Sequence, residues 1–125
     1  MSMQPVEGLV YVVDDVECNR LLGEAHLKLL GWRVRTLASA REALLALREE
    51  TPQSMLVDMR MPEMTGRELA SLLQSRADTR VIRLVGYTAH AHPDEIRKFR
   101  EAGFAEVLIK PAQMADMERV FGRRA

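Results

Sequence analysis

Leu9 to Asp15 reads LVYVVDD. Five apolar residues in an unbroken, largely β-branched run suit a strand covered on both faces, as in a parallel sheet. The run stops at two carboxylates. Beyond them, from Glu17 to Leu30, the apolar residues Leu21, Leu22, Ala25, Leu29 and Leu30 recur at helical spacing, and Gly31 closes the segment as a C-terminal cap. A buried strand, a polar turn and a helix make one βα unit, and the rest of the chain repeats the alternation.

Arg33 to Leu37 is a short second strand. Ser39, with Glu42 three residues on, predicts a capping box for a second helix whose inward stripe is Ala40, Ala43, Leu44 and Leu47. Thr51 and Pro52 break that helix. Ser54 to Val57 reads as a third strand ending at Asp58, and a loop containing Pro62 runs from Met59 to Gly66. Arg67 to Ser75 is a third helix with Leu69, Leu72 and Leu73 inward. A fourth strand lies within Val81 to Tyr87. Pro93 starts a fourth helix, carrying Ile96 and Phe99, that stops at Gly103. Ala105 to Ile109 is a fifth strand, and Met114, Met117, Val120 and Phe121 mark a final helix. Five strands alternating with five helices predict an α/β fold, a parallel sheet with helices on both faces. Right-handed crossovers leave few strand orders, of which 2-1-3-4-5 is the commonest for five strands.

Size and charge narrow the function classes. At 125 residues the chain is one domain's worth, with its core over about 9–121 and Met1 to Gly8 as a short lead-in. The single cysteine, Cys18, excludes an internal disulfide framework and a cysteine-based zinc site; it reads as a small, partly buried side chain. Eighteen basic residues balance 18 acidic ones, so no broad field draws the chain to nucleic acid or to an anionic membrane, and neither is expected as a direct partner. Apolar runs of about five residues fall far short of the ~20 that span a bilayer, and no secretory signal opens the chain. The expected location is the cytoplasm.

Ligand sites of open parallel sheets lie at the carboxyl ends of the strands. Asp14 and Asp15 stand there after the first strand, Asp58 after the third, Thr88 after the fourth, and Lys110-Pro111 after the fifth. Any one of these alone is bland, since Asp is a leading helix-cap residue. Together they place three carboxylates, a hydroxyl and an ammonium on one rim. Two carboxylates ~5 Å apart repel by roughly 3 kcal/mol at an effective dielectric near 20. A divalent cation offsets that repulsion, and an all-oxygen set favours magnesium, with manganese as the alternative, over zinc. Metal, ammonium, hydroxyl and a free carboxylate suit phosphoryl transfer to an aspartate.

The stretches VVDDVECNR (Val12 to Arg20), LVDMRMPEMTG (Leu56 to Gly66), YTAHA (Tyr87 to Ala91) and IKP (Ile109 to Pro111) are similar to the motifs of receiver domains of bacterial two-component response regulators. The resemblance covers essentially Leu9 to Phe121. It implies that Asp58 is the phosphoacceptor, that Asp15 binds magnesium directly, and that Asp14 helps hold it. The backbone carbonyl of Met59 is implied as a further ligand. Thr88 is implied as the switch hydroxyl, Lys110 as the partner of a phosphoryl oxygen, and the bond before Pro111 as cis. A signalling module of this kind is not a turnover enzyme, although it catalyses its own phosphorylation and dephosphorylation. Its implied partners are a histidine kinase or histidine phosphotransfer domain, which docks near Cys18, Asn19 and Leu22, and a downstream protein or fused output domain; dimerisation is a further option. Asn19 and the stretch LLGWRV resemble receivers fused to hybrid sensor kinases.

Two departures stand out. The family usually carries an aromatic three residues before the lysine, where this chain has Val107, and valine has no comparable swing. Arg60 and His90, two residues after Asp58 and Thr88, flank the path of the hydrolytic water in the family; a bulky Arg60 is expected to shield the phosphoryl group. Two rivals follow. One is an unphosphorylated pseudo-receiver acting as an interaction module, which Val107 favours and the intact acid set opposes. The other is a metal-dependent phosphatase, which commonly has a second acid where Arg60 stands. No G-x-G-x-x-G turn follows the first strand, against a dinucleotide-binding domain. His26, His90 and His92 read as surface positions, Trp32 as a cover for the end of the first helix, Met59, Met61 and Met64 as side chains that pack their loop down, and Arg97, Lys98, Arg100 and Glu101 as a solvated helix face.

Overall fold

The computed structural model describes residues 4–90 and 92–124. Met1 to Met3 of the lead-in, and Ala91 of the YTAHA stretch, therefore lie outside the described residues. The elements are β1 (Pro5–Val13), α1 (Glu17–Leu29), β2 (Arg33–Leu37), α2 (Ala40–Ala46), β3 (Thr51–Asp58), α3 (Gly66–Gln74), β4 (Arg83–Thr88), α4 (Pro93–Glu101), β5 (Phe104–Ile109) and α5 (Met114–Phe121). The five strands form one parallel sheet in the order β2-β1-β3-β4-β5.

Alternation along β1 splits the core into two layers. Leu9, Tyr11 and Val13 face α2, α3 and α4, together with Met55, Val57, Leu84, Leu69, Leu73 and Phe99. Val10 and Val12 face α1 and α5, together with Leu27, Leu56, Val85, Met117 and Phe121. Both faces of the central strands are covered, which is why their sequences read as continuous apolar runs rather than as alternating ones.

Several expected boundaries and faces move. The second half of the lead-in is strand: Pro5 and Val6 pair with Thr51 and Pro52, and the register shifts across Gly8, which takes φ +82°. β3 correspondingly starts at Thr51 rather than Ser54. Pro52 is tolerated because residues 51–53 have no partner in β4, so no ladder bond is lost on that side.

Of the expected α1 stripe only Leu30 faces the core. Gly23, Leu27 and Leu30 are buried, whereas Leu21 and Leu29 are 54% and 70% exposed and Leu22 and Ala25 also face solvent. Both stripes have helical spacing. Gly23 decides between them, because a Cβ there would already touch Val12 at 3.4 Å, and the helix approaches the sheet where it has no side chain. Cys18 shares the solvent side and is exposed, not partly buried.

Smaller corrections follow the same logic. Ala46 completes the buried face of α2 while Leu44 is half-buried, and Ala70 rather than Leu72 completes that of α3. Ser39 caps α2 by accepting from the Glu42 N–H, but the reciprocal half of a capping box is absent; full boxes stand at Thr65/Glu68 and Gln113/Asp116. Trp32 is buried, donates from Nε1 to the Gly122 carbonyl at 3.0 Å, and meets Phe121 edge-on. Met59 and Met61 are buried and pin the β3–α3 loop. Among the described residues no helix is long and apolar enough to cross a membrane.

Candidate phosphoryl-transfer site

The carboxyl ends of β1, β3, β4 and β5 meet on one rim because the strand order sets them side by side. Asp14 and Asp15 leave β1 as the backbone turns into α1; Asp14 Oδ1 accepts the Val16 N–H at 2.9 Å, which fixes its rotamer. Asp58 is the last residue of β3. One carboxylate oxygen from each of Asp14, Asp15 and Asp58 falls within 4.8 Å of the others. Asp14 and Asp58 are only 2% and 4% exposed, whereas Asp15 faces solvent.

Lys110 arrives from the end of β5 by way of a cis bond to Pro111. Its Nζ donates to Asp58 Oδ1 at 3.0 Å and lies 3.4 Å from Asp14 Oδ2 without a hydrogen bond to it. Asp58 Oδ1 also accepts the Arg60 N–H at 3.2 Å, while Oδ2 receives no hydrogen bond among the described residues. Burial pushes the Asp58 carboxyl up from an ordinary 3.8 to about 6; the Lys110 and Arg60 hydrogen bonds pull it back, and the Asp14 charge pushes it further up. Burial works to lower Lys110, but its hydrogen bond to Asp58 and the charges of Asp14 and Asp58 outweigh that and hold the ammonium above its usual range.

Asp14 Oδ2 is a buried carboxylate oxygen that accepts no hydrogen bond among the described residues, and Lys110 Nζ, 3.4 Å away and already bonded to Asp58, is the cation beside it. Such a group is costly unless a cation or donor meets it. Three carboxylates against one ammonium, with one oxygen orphaned toward the cluster, therefore fit a hard divalent cation bound by oxygen. The Met59 carbonyl, which accepts only a long Gly66 N–H bond of 3.3 Å, can supply a further oxygen.

The remaining expected residues are placed differently. Thr88 is buried at the end of β4, yet its hydroxyl is engaged with the His90 backbone, accepting from N–H and donating to the carbonyl at 3.2 Å each. Arg60 and His90 are exposed. Val107 is half-buried opposite Gly86 of β4 and packs on the α2–α3–α4 side of the sheet.

Sequence reasoning passed over four positioning residues. Arg20 Nη1 donates to the Asp14 carbonyl at 2.7 Å, bringing a second cation against the acids. Tyr87 lies beneath Lys110, with Nζ 5.0 Å from its ring centre, and its hydroxyl accepts the Ala112 N–H at 3.1 Å, so one ring steers the chain around Pro111. Gly86 leaves the space that the Met59 thioether fills, 3.1 Å from where a Cβ would stand. Gly66 is tighter than Gly86: a Cβ there would sit 2.8 Å from the Asp58 carbonyl oxygen and 3.0 Å from Met59 Cα. Backbone cannot yield as a side chain can, so Gly66→Ala is expected to cost ~1–3 kcal/mol by displacing residues 58–59. Urea unfolding checks this; an unchanged midpoint refutes it. Only the glycine within PEMTG hinted at such a close approach.

The response regulator receiver domain profile matches residues 10–121, and the chain belongs to that family. Among its relatives is the sensor histidine kinase AruS of Pseudomonas aeruginosa, 33% identical over 115 residues, which cover 90% of this chain but 12% of the kinase. Another is the two-component response regulator ORR3 of Oryza sativa subsp. japonica, 32% identical over 118 residues, covering 94% of this chain and 90% of the relative. The chain thus spans a small part of one relative and nearly all of the other. The fold is shared with the receiver domain of sensor histidine kinase PA1611 of P. aeruginosa PAO1 (TM-score 0.82, 24% identity, covering 92% of this chain and 94% of that one), whose crystal structure has a magnesium ion coordinated in the active site cleft.

Proposed function

We propose that this receiver accepts a phosphoryl group on Asp58 Oδ2 from a phosphohistidine of a partner kinase or phosphotransfer domain. The observation that carries this reading is the buried acid cluster itself: one carboxylate with a free oxygen, an ammonium hydrogen-bonded to its other oxygen, and an orphaned Asp14 oxygen beside them. Asp14, Asp15, Asp58 and the Met59 carbonyl would hold magnesium, which when bound neutralises phosphoryl oxygens. Oδ2 attacks phosphorus, the P–N bond of the donor breaks, and the imidazole leaves with its electron pair. Lys110 stays at the developing negative charge. Incorporation of one phosphoryl group per chain from acetyl phosphate with magnesium, followed by transfer from candidate donors, tests the proposal; no labelling by either route overturns it.

Docking of the donor is assigned to α1. Val16 at its N-cap and Leu21 and Leu22 in its N-terminal half are large apolar side chains left 43–54% exposed, at the end of the helix that carries Cys18 and adjoins the acid rim. Leu22→Ala is expected to lower kcat/KM for transfer from the partner by about tenfold, or ~1.4 kcal/mol, while leaving labelling by acetyl phosphate unchanged. Equal loss with both donors counts against docking there.

Arg60 is exposed immediately beyond Asp58, with its N–H already bound to the carboxylate. We assign it the shielding of the phosphoryl group from water. Arg60→Asn is expected to speed phosphoryl loss by about fivefold, or ~1 kcal/mol of barrier; an unchanged half-life rejects the role. Because Val107 cannot swing as an aromatic would, the conformational response is assigned to the β3–α3 and β4–α4 loops and to α4, with Thr88 leaving His90 to meet the phosphoryl oxygen.

A further inference from the structure

Next to the acid cluster, and sharing Met59, Arg60 and Thr88 with its surroundings, the molecule has a cleft of about 650 Å³ between the start of α3 and α4. Its floor is the buried trio Met59, Thr88 and Phe99. Its walls carry three cations, Arg60, Arg67 and Lys98, none of which pairs with a carboxylate among the described residues. Two carboxylates share the lining. Glu68 is occupied, accepting the Thr65 N–H at 3.1 Å in the capping box of α3, and Glu95 stands in the first turn of α4. The cleft is therefore net positive over an apolar floor.

That combination is selective. A volume within ~300–1,000 Å³, with an apolar base and a few convergent polar groups, is the usual form of a small-molecule site. Arginines without partners offer paired N–H donors suited to carboxylate, phosphate or sulfonate oxygens. The depth also matters: Met59 and Thr88 belong to the carboxyl edge of the sheet, so a ligand would reach past the helices and not merely lie across them.

We propose that the α3–α4 cleft binds a small organic anion, with its acidic group on Arg60, Arg67 and Lys98 and its apolar body over Met59 and Phe99. Anion binding here shares Met59, Arg60 and Thr88 with the site proposed for phosphorylation of Asp58, but it needs neither the metal nor the donor, so it can be tested on the unphosphorylated chain.

The probe is 8-anilinonaphthalene-1-sulfonate, a sulfonate on an aromatic body, titrated into the full chain while its fluorescence and the backbone amide shifts are followed. Saturable one-to-one binding is expected, with amide shifts confined to residues 59–71 and 88–99. Arg67→Glu with Lys98→Glu is expected to weaken binding at least tenfold, and Arg48→Glu, just past the end of α2 and outside the cleft lining, to leave it unchanged. An unaltered thermal midpoint in both variants shows that the loss is not unfolding, and the amide map of the unmutated chain decides the matter should the double variant fail to fold. Non-saturable binding, equal affinity in the double variant, or shifts centred on Leu21 and Leu29 of α1 would overturn the proposal. So would tight binding of hexaglutamate peptide without binding of the sulfonate, which would reassign the cleft to an acidic protein segment.

Discussion

Asp58→Asn is expected to abolish labelling by acetyl phosphate, a fall of at least ~1,000-fold, and at the same time to stabilise the metal-free protein at neutral pH. The amide lacks the nucleophilic anion, which accounts for the first effect. The second follows from burial. In the folded chain Asp58 titrates at about 6 instead of 3.8, burial being the main cause. Between those values the folded state holds more protons than the unfolded chain, so stability falls as pH rises through that window and the ionised carboxylate is a net cost above it. Acidifying the wild-type, metal-free protein from pH 7.5 toward 5 should therefore raise the contribution of this site. The Asn variant should lose that slope and be more stable at pH 7.5 by ~2 kcal/mol, less whatever is lost when Lys110 exchanges a charged acceptor for a neutral one. Urea unfolding at both pH values with chelator present checks it. A less stable Asn variant, or an unchanged pH slope, contradicts the electrostatic account.

Magnesium should act in the opposite sense. The wild-type chain should gain ~2.7 kcal/mol of unfolding free energy when magnesium is present at 100 times its Kd, a rise of very roughly 10 °C in Tm for a domain of this size, and chelator should reverse it. Manganese should substitute, because it accepts the same oxygen set. The two outer acids should separate in this experiment. Asp15 is exposed, so Asp15→Asn should remove the magnesium shift with little change in metal-free stability. Asp14 is buried with its Oδ2 3.4 Å from Lys110 Nζ, so Asp14→Asn should remove the shift and also lower metal-free stability, since with Oδ1 still accepting the Val16 N–H the amide NH2 would face the ammonium. Magnesium stabilisation that persists in both variants would place the ion elsewhere.

These effects have a common origin. Function asks three carboxylates to share a nearly dry rim, and the fold tolerates them through Lys110, through the Arg20 guanidinium on the Asp14 carbonyl, and through backbone N–H groups of Val16 and Arg60. Val16, Arg20 and Arg60 act from within six residues of the acid they serve, whereas Lys110 reaches Asp58 from 52 residues away, and the three acids themselves come from the ends of β1 and β3. The site is thus conditional on the sheet order, and so is the cleft, whose floor and walls come from β4, α3, α4 and the loop after β3.

The sequence narrowed the strand order to the commonest of a few, and by itself it determined the alternation of strands and helices and which residues stand at the strand ends. Those are local facts: a buried parallel strand must be apolar throughout, and the residue after it must turn. Which leucines of α1 face the core could not be read locally, because two stripes have the same period, and only contact between Gly23 and Val12 selects one. The same holds for the strand hidden in the lead-in and for Tyr87 beneath Lys110. Those features depend on distances between segments remote in the chain, and such distances exist only once the layers have packed.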